Sequence, residues 1–219
     1  LGCALLISQS KLDPVQRRTL GVLEDAGKQM LAVLNDLLDL SALNANKVRI
    51  EAEPVSMLRL MEDAAVIWAS GVRAKQLSLS VMIDPALARP RLVDSARLLQ
   101  IVGNLIGNAI KFTSEGGITL RAWPERGRGR PNGIAIEVED TGSGVPLDAA
   151  ERIFQPFEQV ESQHSKTTQG TGLGLALTKS LVEMHGGSLD MQSAPGEGTM
   201  VSFSLPVRQS GANHATAAA

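Results

Sequence analysis

The stretch Asn104-Leu-Ile-Gly-Asn108-Ala-Ile-Lys111 decides the fold, because three more short motifs follow it in order along the chain. These motifs are Asp140-Thr-Gly142-Ser-Gly144, Phe154-Gln-Pro-Phe157 and Gly170-Thr171-Gly172-Leu173-Gly174-Leu. An amide oxygen can ligate a hard cation, a carboxylate can accept a hydrogen bond from an adenine amine, and a glycine-rich turn can present N–H groups to phosphate. Together the four motifs supply the groups that are needed to hold Mg-ATP, although each alone would be a weak signal.

The first motif places three polar side chains on one face of a predicted helix. Asn104, Asn108 and Lys111 are spaced four and three residues apart, and the residues between them are mostly apolar. An amide pair in so apolar a helix is costly unless it has partners. One amide oxygen from Asn108 fits the preference of Mg²⁺ for oxygen ligands, and Lys111 can reach phosphate oxygens as a point charge. The alternative is that these side chains cap neighbouring loops.

Asp140 ends an apolar strand and is followed by a turn that contains two glycines. Gly142 and Gly144 permit a tight turn and the close approach of a flat ligand. A carboxylate at the base of such a pocket would accept a hydrogen bond from the amine of adenine and would repel the carbonyl of guanine. Taken alone, an Asp-x-Gly-x-Gly sequence is equally consistent with an ordinary turn.

The glycine-rich run from Gly170 to Gly174 precedes a predicted helix, so backbone N–H groups at the helix start can face anionic oxygens. The run is not a Walker loop, because no Gly-Lys-Ser/Thr follows, and it is not a Rossmann turn, because no strand leads into it. Residues 155–169 are polar and rich in Gln, Ser and Thr. We expect them to form a mobile lid over the nucleotide, anchored at its near end by Phe154 and Phe157.

Composition excludes several other classes of function. The 219 residues are 43% hydrophobic and 20% charged, as in a globular protein, and the net charge of −2 argues against a broad basic surface for nucleic acid. Cys3 is the only cysteine, so neither an internal disulfide nor a cysteine-rich metal site can form. The sequence has no run of about 18 apolar residues, so we expect no membrane contact from this segment. We expect a cytoplasmic location, whether or not the parent protein is anchored in a membrane.

A long amphipathic helix is predicted from Asp13-Pro14, a helix-start signal, to about Leu43. Its apolar seam alternates steps of three and four residues, which is the pattern of helices that pack against partner helices. The seam consists of Leu20, Leu23, Gly27, Met30, Leu34, Leu37 and Ser41. Either the helix covers a globular core or it is half of a helical hairpin that dimerises, and its length and regular seam favour the second.

The pattern changes after residue 47, where period-two alternation predicts strands between the helices. Strands are predicted at 48–52, 77–83, 118–122, 134–138, 188–193 and 199–205, and helices at 56–75, 95–112 and 173–185, the second of them capped by Asp94. Most of these strands are connected as hairpins. The predicted fold class is therefore α+β: a two-layer α/β sandwich, in which helices cover one face of a mixed sheet, preceded by the remnant of a helical hairpin.

The motif series resembles the ATP-binding catalytic domain of sensor histidine kinases, in the superfamily that also contains gyrase, heat-shock protein 90 and mismatch-repair ATPases. The resemblance covers residues 47–208. The stretches that resemble the N box, the first glycine box, the F box, the second glycine box and a minor third glycine box are 104–111, 140–144, 153–159, 170–176 and 196–199. Residues 1–46 resemble part of the dimerisation and phosphotransfer domain, and residues 209–219 are expected to be a disordered tail or linker.

The resemblance implies a Bergerat-type fold with ATP between the helices and the lid. It implies that Asp140 contacts adenine, that Asn108 ligates Mg²⁺, and that Lys111 and the second glycine box hold the phosphates. Thr199 would add a water-mediated contact to adenine. Asn104, Asn108 and Lys111 would form the catalytic set. The other residues expected at the nucleotide are Gly142, Gly144, Phe154, Phe157, Gly170, Thr171, Gly172, Leu173 and Gly174.

The activity that the resemblance implies is transfer of the γ-phosphoryl group of ATP to a histidine on the dimerisation domain, and then to an aspartate of a response-regulator receiver domain. The parent protein would be a homodimer through its helical domain. The family's Ser-His-Glu-like acceptor box is absent, and His164, His185 and His214 do not lie on a dimerisation helix. We expect either a segment that begins after the acceptor and cannot label itself, or a degenerate kinase in which this module only binds nucleotide.

Two positions depart from related patterns. Asn104 stands where hydrolytic members of the superfamily have a glutamate that activates water, and an amide cannot act as a general base. We therefore expect the site to hold ATP without rapid hydrolysis. Gln169 stands where a glycine is common before the second glycine box.

Overall fold

The structure is a computed structural model that describes residues 6–7, 10, 12–45, 48–127, 130–159 and 171–209. The chain divides into two compact units, Leu1–Lys47 and Val48–Ala219. None of the described helices combines the length and the apolarity that crossing a bilayer requires.

The first unit contains helix α1, Pro14–Asn44, which begins where the sequence predicts. The Asp13 carboxylate accepts hydrogen bonds from the backbone N–H groups of Val15 and Gln16, both at 2.8 Å. The side-chain oxygen of Gln16 accepts the N–H of Asp13 at 3.1 Å, which completes a capping box. Local sequence alone therefore accounts for the start of this helix.

Most of the apolar seam of α1 is open to solvent within the single chain, although Leu20 keeps only 8% of its surface exposed. Leu23, Met30, Leu34 and Leu37 keep 45–67% of their surface exposed. Large apolar side chains are usually buried, and a row of them on one helix face fits the expected partner helix. That this helix dimerises stays a prediction.

The second unit contains three helices and eight strands among its described residues. The helices are α2, Met57–Ala74; α3, Ser95–Phe112; and α4, Gly174–Met184. The strands are β1, Glu53–Val55; β2, Ser78–Ile83; β3, Arg91–Val93; β4, Gly117–Gly127; β5, Arg130–Asp140; β6, Ser188–Ala194; β7, Gly198–Pro206; and β8, Arg208–Gln209. Turns of 3₁₀ helix occupy Pro85–Ala88, Leu147–Ala149 and Arg152–Phe154. Each helix predicted in this unit matches an observed one to within a residue at either end.

Five strands form one mixed sheet in the order β2-β4-β5-β7-β6, with β2 parallel to β4 and the other neighbours antiparallel. The three helices pack on one face, where alternate strand residues are apolar and buried. Those residues include Ile118, Leu120, Ile134, Ile136 and Phe203. On the opposite face, Arg121 donates hydrogen bonds to Glu137 and Glu139. One apolar face under helices and one polar face make a two-layer sandwich, and the predicted fold class is confirmed.

Helix α3 lies between α2 and α4 and carries the first motif. Its buried side is apolar, as the pattern predicts: Leu98, Ile101 and Ile106 have no exposed surface. On its α2 side, a Cβ on Gly103 would lie 3.4 Å from the ring of Trp68, and one on Gly107 would lie 3.7 Å from it. The two glycines therefore let the large ring of α2 seat directly on α3, which fixes the spacing of the two helices.

The first predicted strand is wrong in its position. Residues 48–52 form no strand, and β1 begins at Glu53. The backbone N–H of Glu51 donates to the carboxylate of Asp94 at 3.0 Å rather than to a neighbouring strand. β1 then pairs with β3, and β3 with β8, in a separate antiparallel three-stranded sheet. β3 and β8 escaped prediction because strands of three and two residues are too short to show a period.

Candidate nucleotide-binding site

Helix α3 positions the first group of predicted site residues, and its start is set by Asp94. The Asp94 carboxylate accepts the N–H of Arg97 at 3.1 Å and so caps the helix, as the sequence predicts. Asn104 lies half-buried in the middle of the helix. Its amide nitrogen donates to the carbonyl of Gly174 at 3.2 Å and lies 3.5 Å from the hydroxyl of Thr178. Asn104 therefore ties α3 to the first turns of α4.

Asn108 lies one turn further along α3 and is half-buried. Its side-chain amide makes no hydrogen bond with the described part of the chain, in contrast to that of Asn104. A half-buried amide without a protein partner is free to ligate a cation or to bind a polar ligand. This is the state that the predicted metal ligand requires.

Lys111 lies in the last turn of α3 and is also half-buried. Burial lowers the pKa of its ammonium group from the usual value. The Nζ atom lies 4.6 Å from the ring centroid of Phe112, and no carboxylate of the described residues lies within salt-bridge distance. A partly desolvated cation without an anionic partner is suited to bind an anion such as phosphate.

Asp140 lies at the end of β5, directly opposite Thr199 of β7. Burial raises the pKa of its carboxyl, while the N–H groups of Gly142 and Thr199 and the hydroxyl of Thr113 act in the opposite direction. The N–H of Gly142 donates to Oδ1 at 2.8 Å. The Thr113 hydroxyl is fully buried, yet it completes no hydrogen bond of normal geometry. A half-buried carboxylate beside an orphaned hydroxyl fits a polar ligand such as an adenine edge or a bridging water.

The backbone by itself requires glycine at two positions of the first glycine box. A Cβ on Gly142 would lie 2.6 Å from the carbonyl oxygen of Phe112 and 2.7 Å from Oδ1 of Asp140. Gly144 has φ +67°, and a Cβ there would overlap the carbonyl of Ala194. The protein's own carbonyls therefore already require glycine at both positions, and the close approach of a flat ligand there stays a prediction.

The second glycine box is described from Thr171 onward; Gly170 lies outside the described residues, as do 160–169 of the predicted lid. The Thr171 hydroxyl accepts the N–H of Leu173 at 3.2 Å, and Leu173 is buried. The first N–H groups of a helix lack intrahelical acceptors, and helix α4, which starts at Gly174, has no side-chain cap to bind them. Such groups, with the positive end of the helix dipole, favour anions.

The two phenylalanines of the F box differ in their surroundings. Phe154 is half-buried, but Phe157 is 65% exposed. Phe157 also has φ +67°, a left-handed conformation that is rare for a bulky residue, and its N–H donates to the carbonyl of Gly172 at 3.0 Å. The Phe157 side chain is therefore not buried, Ile153 is the buried residue there, and the anchoring role of the two phenylalanines stays a prediction.

Sequence reasoning missed three polar residues beside the predicted ones. Thr113 carries the orphaned hydroxyl near Asp140, and Ser143 donates its N–H to the carbonyl of Phe112 at 3.3 Å. Ser193 Oγ lies 3.0 Å from the hydroxyl of Thr199 and donates to the carbonyl of Gly198 at 2.8 Å. Strand pairing could have found only Ser193, because it lies opposite Thr199 on β6.

The family model of histidine kinase-, DNA gyrase B- and HSP90-like ATPases matches residues 93–209, more than half of the chain. The chain belongs to this ATPase family. The matched segment contains every described residue of the site, from Asn104 to Thr199. The sequence-based prediction of an ATP-binding domain of the histidine kinase type is confirmed.

Curated relatives and solved structures agree with this membership. The chain is 46% identical over 192 residues to the non-motile and phage-resistance protein of Caulobacter vibrioides, with 86% of this chain and 22% of the relative covered. It is 36% identical over 208 residues to the sensor histidine kinase GacS of Pseudomonas protegens, with 94% of this chain and 23% of the relative covered. The chain thus spans about a fifth of the length of these relatives.

The structure of full-length ShkA in complex with AMPPNP superposes with a TM-score of 0.80 and 32% identity, covering 96% of this chain and 42% of ShkA. The histidine kinase AdeS of Acinetobacter baumannii has a TM-score of 0.68 at 18% identity, with 93% of this chain and 89% of AdeS covered. At 18% identity, the likeness to AdeS shows only that the two proteins share a fold.

Proposed function

We propose that this chain is the ATP-binding catalytic part of a two-component sensor histidine kinase. The observation that carries the proposal is the half-buried Asp140 carboxylate, which lies beside the orphaned Thr113 hydroxyl at the end of the sheet. Adenine offers an amine that such an acceptor binds, whereas guanine offers a carbonyl that it repels. Family membership and the likeness to a kinase whose structure contains AMPPNP support adenosine triphosphate as the ligand.

In this proposal the remaining site residues hold the other parts of the nucleotide. Asn108, whose amide lacks a partner among the described residues, ligates Mg²⁺, and Lys111 binds phosphate oxygens. The uncapped start of α4 presents N–H groups to the same anions. Bound Mg²⁺ supplies charge neutralisation for the triphosphate. The other residues that we assign to the nucleotide are Gly142, Gly144, Phe154, Phe157, Gly170, Thr171, Gly172, Leu173, Gly174 and Thr199.

The phosphoryl acceptor is proposed to be a histidine outside this sequence. His185 follows the last residue of α4, and its Nδ1 lies 2.7 Å from the carbonyl of Leu181 in a helix-end contact. His164 and His214 lie outside the described residues. Asn104 cannot act as a general base, and its amide is engaged with α4, so water is not activated at this position. The site then positions ATP for an incoming nucleophile, because phosphoryl transfer depends mainly on positioning and charge neutralisation.

The proposal extends to the parent protein. Residues 1–46 would belong to a dimerisation and phosphotransfer domain that forms a homodimer, 47–208 to the catalytic domain, and 209–219 to a tail or linker. The partner would be a response-regulator receiver domain, and the catalytic domain would work in the cytoplasm. One relative with 34% identity, from Dictyostelium discoideum, is named a hybrid signal transduction histidine kinase.

The test combines calorimetry and phosphate transfer. We expect the chain to bind Mg²⁺ with a non-hydrolysable ATP analogue and to take up no label from γ-labelled ATP by itself. The longer parent chain with its acceptor histidine should gain an acid-labile, base-stable label. Absence of nucleotide binding by the folded chain would overturn the whole proposal. Rapid steady-state release of phosphate would favour a hydrolase instead, and a parent that binds ATP but is never labelled would favour a nucleotide-binding module without transfer activity.

A further inference from the structure

The C-terminal end of α3 has a complete set of hydrogen bonds that no motif predicts. The last four carbonyls of a helix lack intrahelical donors and must find them elsewhere. Here the side chain of Lys75 donates to three carbonyls of this region: Nζ lies 2.6 Å from the oxygen of Ile110, 3.0 Å from that of Lys111 and 3.4 Å from that of Thr113. The carbonyl of Phe112 accepts the N–H of Ser143, from the first glycine box.

Lys75 itself is held by the end of α2. It is the C-cap of that helix, and its own N–H donates to the carbonyl of Val72 at 3.2 Å. Gln76 follows with φ +59°, and the N–H of Leu77 returns to the same carbonyl at 3.1 Å. Leu77 is buried, so the turn is anchored in the core. The backbone of Lys75 is thus held in place, and its ammonium group reaches the end of α3 from that position.

We propose that Lys75 is a positioning residue for nucleotide binding, which rests on the function proposed above. Asn108 and Lys111 lie in the last turns of α3, where Lys75 donates to the carbonyls of Ile110 and Lys111. A lysine has three N–H donors and a full positive charge, and here they meet the negative end of the helix dipole. These bonds keep the turn helical up to Phe112, so that Asn108 and Lys111, three residues apart, stay on one face of the helix. They also hold the Phe112 carbonyl where the first glycine box binds it.

The experiment compares two ligands in four proteins. Affinities for the magnesium complex of a non-hydrolysable ATP analogue and for adenosine are measured by calorimetry on the wild-type chain, Lys75→Met, Lys75→Arg and Lys179→Met. Lys179 is an exposed lysine of α4 with no hydrogen bond or ion pair among the described residues, so its change removes the same charge without the contacts. The affinity for the ATP analogue divided by the affinity for adenosine reports the contribution of phosphate and metal binding, because adenosine carries only the base and sugar.

We expect Lys75→Met to lower this ratio by about five- to tenfold, since charge-assisted bonds at a partly exposed site are lost. Lys75→Arg should recover part of the loss, because guanidinium keeps the charge but cannot place its planar donors on all three carbonyls. Lys179→Met should leave the ratio unchanged. If Lys75→Met melts below the assay temperature, Lys75→Gln, whose amide reaches one carbonyl at most, takes its place in the same comparison.

Two results would overturn the inference. An unchanged ratio in Lys75→Met would show that the turn keeps its geometry without the lysine. An equal loss for both ligands would show a general structural role instead of positioning for the phosphates. Failure of the proposed function is distinguishable from either, because the wild-type chain would then bind neither ligand.

Discussion

Replacement of Asp140 by asparagine tests the adenine contact at its most specific atom. Oδ1 of Asp140 accepts the N–H of Gly142 at 2.8 Å. The N–H of Thr199 and the hydroxyl of Thr113 also act on this carboxylate, and we assign its second oxygen to the adenine amine. In Asp140→Asn, either the amide nitrogen faces the adenine amine, or the amide turns and faces the N–H of Gly142. One donor loses its acceptor in both orientations. The loss of a hydrogen bond to a charged group costs about 1.5–3 kcal/mol, which is about a 10- to 150-fold fall in affinity.

Calorimetric titration with the magnesium complex of a non-hydrolysable ATP analogue measures this loss. Asp190→Asn is the matched control, because it makes the same chemical change at an exposed position of β6. A second titration with the corresponding guanine nucleotide should show that Asp140→Asn narrows the preference for adenine over guanine. Unchanged affinity for the adenine nucleotide in Asp140→Asn, with the fold intact, would refute the assignment of Asp140.

The pH dependence separates the binding role of Asp140 from its effect on folding. Burial raises the pKa of Asp140 above its unfolded value, so the ionised carboxylate destabilises the nucleotide-free fold at neutral pH. This cost disappears as the pH falls through the raised pKa, while the adenine contact weakens over the same range because the carboxyl loses its charge. Melting temperature and affinity of the wild type should therefore move in opposite directions on mild acidification. In Asp140→Asn, neither the melting temperature nor the affinity should change in this way with pH. The same pH dependence in the variant would contradict the assignment to Asp140.

Three further perturbations follow from the backbone and the helix ends. Gly172→Ala should lower the free energy of unfolding, measured by urea denaturation, by more than Gly196→Ala does. Both glycines have positive φ, which costs about 1–2 kcal/mol for alanine. Only at Gly172 would the added Cβ also lie 2.8 Å from backbone atoms. Equal losses would contradict the clash. Asp94→Ala should cost about 1–3 kcal/mol in the same assay, because a helix cap and the acceptor of a second N–H are lost; Asp84→Ala, which uncaps only a short 3₁₀ turn, should cost less. Lys111→Met should lower the calorimetric affinity for the triphosphate analogue more than that for adenosine. An unchanged ratio of the two affinities would exclude Lys111 as a phosphate ligand.

The sequence determined the parts of this protein that depend on near neighbours in the chain. The cap at Asp94 and the apolar face of α3 follow from a side chain within three residues and from helical period, so both were predictable. The motif order identified Asn104 and the second glycine box as parts of one site, but their hydrogen bond at Gly174 was not predictable from the sequence.

Tertiary structure decided what depends on groups far apart in sequence. Whether residues 48–52 form a strand depended on a carboxylate 43 positions away from Glu51. A carbonyl of α3 requires glycine at position 142, and Lys75, the C-cap of α2, donates to two other carbonyls of that helix end. A sequence pattern records the period and the polarity of a segment, but a hydrogen-bond partner across the fold leaves no local trace, and only the packed chain shows which polar groups were left for the nucleotide.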